Sequence, residues 1–273
     1  MTLTLIVQLL ISFIVGGSVI TSISLLAEKA NENVSGIIIM FPTTIVLGFF
    51  FLGFTTSAQK VADIVPATLI PIGITILSSV IYISIAYFFS KFISSKRSQI
   101  ILTFISSNII WFILAAPFAI WKFNNLTVGI TGYFLLIMLA HYFLNRQNIS
   151  LERPKIKYTK PQILFRALFM GSIILLVVLL GKTLNPFWGG IMTMYPAATY
   201  AALTVFHFYY EPQQLYSFFK KSAIGSLSLF LYAISVMVLF PKIGVIFGTI
   251  SAIGLCLLFL MLLINTQKRK YNI

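Results

Sequence analysis

An all-α polytopic membrane protein is the fold class the sequence predicts, and three observations carry it. The chain of 273 residues is 59% hydrophobic and only 9% charged, with a mean hydropathy of +1.01. A soluble domain carries about a quarter charged residues. The apolar residues fall in runs near 20 long, enough to cross a hydrocarbon core of about 30 Å as helices. Strands of a membrane barrel would alternate apolar and polar residues, and none of these runs does. Finally, residues 17–42 (GSVITSISLLAEKANENVSGIIIMFP) and 171–196 (GSIILLVVLLGKTLNPFWGGIMTMYP) align without a gap at an offset of 154, with ten of 26 positions identical. Shared hydrophobicity accounts for matched leucines, but not for a Gly-Ser, an Asn, a Gly and a Pro kept at fixed spacing.

About nine spans are expected, near 3–27, 34–57, 63–90, 99–121, 125–145, 162–184, 187–209, 213–240 and 243–266. The first carries a small-residue face, Gly16-Gly17-Ser18 with Thr21, Ser22 and Ser24, suited to close helix packing. It lacks a basic start and a small-residue cleavage site, so no cleavable signal peptide is expected. The second follows Asn31, Asn33 and Ser35, which can cap a helix start, and contains Gly36 and Pro42. The fourth holds Asn108 beside Ser106 and Ser107, a buried amide that needs partners in hydrocarbon. Residues 146–161 (RQNISLERPKIKYTKP) form the one long polar connection, with Pro154 and Pro161 as breakers. The seventh opens on Asn185-Pro186, an N-cap followed by proline at the first helical position, and contains Gly190 and Pro196. The ninth has Gly244 and Gly248 at one end and the single Cys256 in its middle.

Three units follow: a first repeat over 1–145 with five spans, a linker over 146–161, and a second repeat over 162–273 with four. An odd number of spans in the first unit makes the second enter from the opposite face, so the repeats are expected to be inverted. Spans one to three pair with six to eight, five pairs loosely with nine, and four is an insertion. If loops alternate, one side receives fifteen Lys and Arg residues and the other only Lys60, Lys122, Lys182 and Lys242. The positive-inside rule then puts the N-terminus outside and the C-terminus in the cytoplasm. The net charge of +14 is thus a topology signal; nucleic-acid binding is excluded, since the basic residues sit in short loops beside no soluble module.

The second half resembles the GlpM family of small bacterial inner-membrane proteins. The pattern is Lys182, Thr183, Asn185, Gly190, Ile191, Tyr195 and Pro196; the first half matches less well, with Glu28 and Lys29 opposite Lys182 and Thr183. The resemblance implies a four-span fold unit and a bacterial cytoplasmic membrane, and no substrate.

Inverted repeats are the commonest plan for a transporter core. Pro42 and Pro196 are expected several residues inside their helices, each freeing a carbonyl that lipid does not tolerate unless protein or a water-lined cavity satisfies it. The expected function is therefore transport of a small anionic or polar solute, a phosphate-bearing lipid included. The substrate-binding candidates are Asn31, Gly36, Pro42, Asn108, Lys182, Asn185, Gly190 and Pro196. The five acids lie at helix ends or in loops, and one cysteine with two separated histidines makes no metal or catalytic set. His141 and His207 are expected at the interface. No enzyme activity, metal or cofactor is expected; the partners are the bilayer and a solute, with the protein a monomer or homodimer. The rival reading is a non-transporting scaffold for an envelope-biosynthesis complex.

Overall fold

Helices form because a backbone in lipid has no water to bond to, and every regular element among the described residues is helical. The computed structural model describes residues 3–28, 42–146 and 159–270. Asn31, Gly36 and linker residues 147–158 lie outside the described residues. The helices are α1 (Leu3–Glu28), α2 (Thr43–Thr55), α3 (Ala58–Ser90), α4 (Lys96–Ile120), α5 (Leu126–Asn145), α6 (Lys160–Thr183), α7 (Pro186–Thr193) and α8 (Ala197–Tyr209). After a 3-10 turn at Pro212–Gln214 come α9 (Leu215–Phe219), α10 (Ser222–Gly225) and α11 (Leu227–Lys270). Side chains start several of them. Ser57 accepts from the Lys60 amide at 3.2 Å and Asn125 from that of Val128 at 3.0 Å, satisfying amides that a helix start leaves without partners.

Among the described residues, six helical stretches are long and apolar enough to cross a membrane: Leu3–Ile23, Ala58–Ser90, Lys96–Ile120, Leu126–Asn145, Lys160–Thr183 and Pro212–Leu263. The last folds back on itself. Gly244 has φ 76° and ψ 176°, a conformation that side chains disfavour. The Cys256 thiol reaches the Ser228 carbonyl at 3.4 Å; along one straight helix these residues would stand about 42 Å apart. The arms 227–243 and 245–270 therefore pack against each other, with Gly248 against the Phe240 ring.

Lipid tails are as apolar as leucine, so contact between helices rests on close packing of small residues. Gly17 lies against the Ala167 carbonyl and Gly171 against that of Phe13. These two contacts exchange under the 154-residue offset. α3 is the central helix: Gly73 admits Leu136 of α5, and Gly129 of α5 lies on the Pro66 carbonyl.

The expected seventh span is two helices instead of one. α7 stops at Thr193 and α8 begins at Ala197. Pro196, expected inside a helix, occupies the N-cap of α8 with φ −76° and ψ 47°. Pro42 occupies the N-cap of α2 with φ −74° and ψ 42°. A proline donates no amide hydrogen and pushes its predecessor away from α conformation, so here the chain restarts rather than bends. The two helices that follow have 13 residues each and occupy positions 154 apart. Their first bonds match, Val46 N to Pro42 O at 2.7 Å and Tyr200 N to Pro196 O at 2.8 Å. So do their last: Thr56 N to Leu52 O and Tyr210 N to Phe206 O are both 2.8 Å.

Candidate functional site at two helix starts

Both restarts open onto one cavity of about 40 Å³, room for a few water molecules. Its lining contains five pairs related by the offset: Pro42 and Pro196, Thr43 and Ala197, Thr44 and Ala198, Ile45 and Thr199, and Thr75 and Leu229. Ile72 and Ile76 of α3 form one wall, and Thr193 to Tyr195 form another. Among the described residues, no Asp, Glu, His, Lys or Arg is in this lining.

Polar groups from two other helices hold the break open. Between Thr193 and Ala197 the Thr75 hydroxyl of α3 donates to the Met194 carbonyl, and Trp111 of α4 donates to the Thr75 oxygen at 3.4 Å. The Tyr195 hydroxyl donates to Asn108 Oδ1, while the Asn108 amide donates to the Phe104 carbonyl at 2.7 Å. Tyr200 reaches the Ser107 carbonyl at 2.9 Å. Tyr195 is ringed by Trp111, Phe112, Phe169 and Tyr200. The carbonyls at the end of α7 are likewise taken: Ile191 O accepts from Met194 N at 2.9 Å, Met192 O from Tyr195 N at 3.1 Å, and Tyr195 O from Ala197 N at 2.8 Å.

The opposite holds at the helix starts. Neither Pro42 nor Pro196 supplies a side-chain cap. The first amides of a helix have no intrahelical partner; apart from the Ala197 amide, which goes to the Tyr195 carbonyl, the residues that carry them, Thr43 to Ile45 with Ala198 and Thr199, line the cavity. Each start also bears the positive end of its helix dipole.

Of the candidates from sequence, Pro42 and Pro196 are brought together in this cavity. Asn108 adjoins it through Tyr195. Gly190 packs on Ile64 and Thr68 of α3. Asn185 caps α7, accepting from Phe187 N at 3.0 Å and Trp188 N at 3.4 Å. Lys182 is exposed in the last turn of α6 and is absent from the lining. Thr43, Thr44, Thr75 and Thr199 were not singled out by sequence; β-branched hydroxyl residues in an apolar run offer only a weak signal. Two further residues depart from expectation. Arg166, counted with the loop charges, is buried inside α6 at 1% exposure. His207, expected at the interface, is fully buried with Nδ1 3.5 Å from the Tyr82 hydroxyl.

Comparison with protein-family models, with curated proteins and with solved structures returns no match.

Proposed function

We propose that the protein is a membrane transporter or permeation pathway for a small anionic or polar solute, bound where the two restarted helices meet. The observation that carries this reading is the shared cavity, lined by five residue pairs related by the repeat offset. Irregular backbone at membrane depth is tolerated where it lines a cavity, and broken helices from paired repeats are the usual place for a transported solute. The exchange of Gly17 and Gly171 contacts supports a two-fold relation between the repeats. The fold-back at Gly244 supports two crossings within Pro212–Leu263. With further crossings through residues 34–57 and 187–209, nine spans result, the repeats are inverted, and the N-terminus lies outside. Alternating access then comes from rocking one repeat against the other. The resemblance to the GlpM family over residues 182–196 belongs to this proposal, as does residence in a bacterial cytoplasmic membrane.

The test is reconstitution of the full chain in vesicles, with uptake measured across a panel of small anions and polar solutes. Uptake above that of protein-free vesicles for at least one solute is the expected result. None for any solute sinks transport and leaves the scaffold reading. Cysteines introduced at Asn148 and Thr127 should label from opposite sides, with Asn148 protected from an impermeant reagent in whole cells. Labelling of both from outside would overturn the inverted topology.

A further inference from the structure

Two helix starts facing one cavity raise the question of what charge they are built to hold. α2 and α8 have 13 residues each, and each start carries about half a positive charge, so the two together amount to about one. Among the described residues, the Met194 carbonyl beside Tyr195-Pro196 is taken by Thr75. A second feature points the same way. Thr43, Thr44 and Thr199 are each more than nine-tenths buried, at 8%, 9% and 6% exposure. All three line the cavity, and among the described residues their hydroxyls make no hydrogen bond, although the half-buried Thr75 and the buried Thr193 do. These three side chains line the same space as the residues that carry the first amides of the two helices, Ile45, Ala198 and Thr199 among them.

Resting on the transport reading, we infer that the site takes a small monovalent anion, of nitrate or carboxylate size, held by backbone amides of α2 and α8 together with the hydroxyls of Thr44 and Thr199. Among the described residues no lysine or arginine lines the cavity, so a dianion would keep a second, uncompensated charge in a desolvated site. The ligand needs no cationic side chain, because oriented amides supply the field, as they do at other helix starts that bind anions.

The test uses the purified full chain, titrated with sodium nitrate, sodium acetate and sodium sulfate at constant ionic strength and followed by calorimetry and thermal unfolding. Nitrate or acetate should bind at least tenfold more tightly than sulfate. Thr199→Val and Thr44→Val should each weaken that binding about tenfold, the loss of one hydrogen bond to a charged group, while Thr199→Ser retains it. Each variant is first checked for an unchanged unfolding midpoint without added anion, and the two threonines lie on different helices, so failure of one variant to fold leaves the other. Equal affinity for sulfate, or nitrate binding indifferent to both valine variants, overturns the assignment. Vesicle flux separates the two ideas. Nitrate binding without nitrate flux removes transport and keeps the anion site; flux of a neutral polyol or a cation, with no nitrate binding, keeps transport and removes the anion.

Discussion

Pro66 and Pro71 lie within α3, which runs unbroken from Ala58 to Ser90, whereas Pro42 and Pro196 stand where α2 and α8 begin. All four lack an amide hydrogen; within α3 each proline removes one helical bond, whereas at a helix start there is none to lose. Their surroundings make the difference. α3 is wedged among neighbours that leave it no freedom to unwind: Leu136 seats on Gly73, and Gly129 closes on the Pro66 carbonyl itself. Around Pro196 the neighbours offer polar groups instead of bulk. Thr75, 119 residues away, takes the Met194 carbonyl, and Asn108, 87 residues away, takes the Tyr195 hydroxyl. Proline makes a break possible, and distant hydrogen-bond partners decide whether it happens.

The largest effect should come from the prolines themselves. Pro196→Ala or Pro42→Ala restores an amide that lets the helix run on, closing the cavity; uptake in vesicles should fall at least tenfold, about 1.4 kcal/mol or more. Pro66→Ala should leave uptake within about twofold, because α3 is already continuous. Equal effects at Pro66 and Pro196 would erase the distinction.

Next comes Thr75→Val, which keeps the shape and leaves the Met194 carbonyl buried without its donor. It should destabilise the protein by about 1–3 kcal/mol, read as a lower unfolding midpoint, and Thr75→Ser should recover most of that. An unchanged midpoint would mean that the break does not depend on α3.

A smaller and sharper test is the Tyr195 and Asn108 pair. Asn108→Leu and Tyr195→Phe should each destabilise, and the double variant should cost less than their sum by about 1 kcal/mol. Strict additivity would dissolve the bond as a cause of the break.

The smallest effects belong to charges away from the cavity. Lys96 lies 3.6 Å from Glu211 and donates to the Tyr210 carbonyl at 3.0 Å, tying the start of α4 to the chain beyond α8. Lys96→Gln should cost under about 1 kcal/mol, since exposed pairs contribute little. Lys182→Gln should slow uptake of an anion by about twofold at low salt and not at all at high salt, as screening predicts for an exposed charge. A salt-independent loss would bring Lys182 into the binding site.

Much of the helix pattern was legible beforehand. The apolar runs near 99–121, 125–145 and 162–184 return as α4, α5 and α6 with ends shifted by a few residues. Asn185-Pro186 opens α7 as its residue types dictate. The break was half legible: the Gly-x5-Pro spacing marked the place, but it read as a proline within a helix because nothing local shows which carbonyl finds a donor elsewhere. Arg166 was read as a loop charge because periodicity cannot tell a helix end at the surface from one packed under neighbours.

The sequence by itself determined what depends on composition and nearest neighbours. That covers the helical class, most helix limits, the caps, and an internal offset of 154 that reappears as two helices of equal length and matching first bonds. Only the tertiary structure decided that Pro42 and Pro196 share a cavity, that Thr75 and Asn108 hold the break at Pro196 open, and that Thr43, Thr44 and Thr199 line that cavity. The reason is range: a cap or an apolar run is settled within a few residues, whereas a carbonyl released by proline in a medium without water must find its donor wherever packing places one.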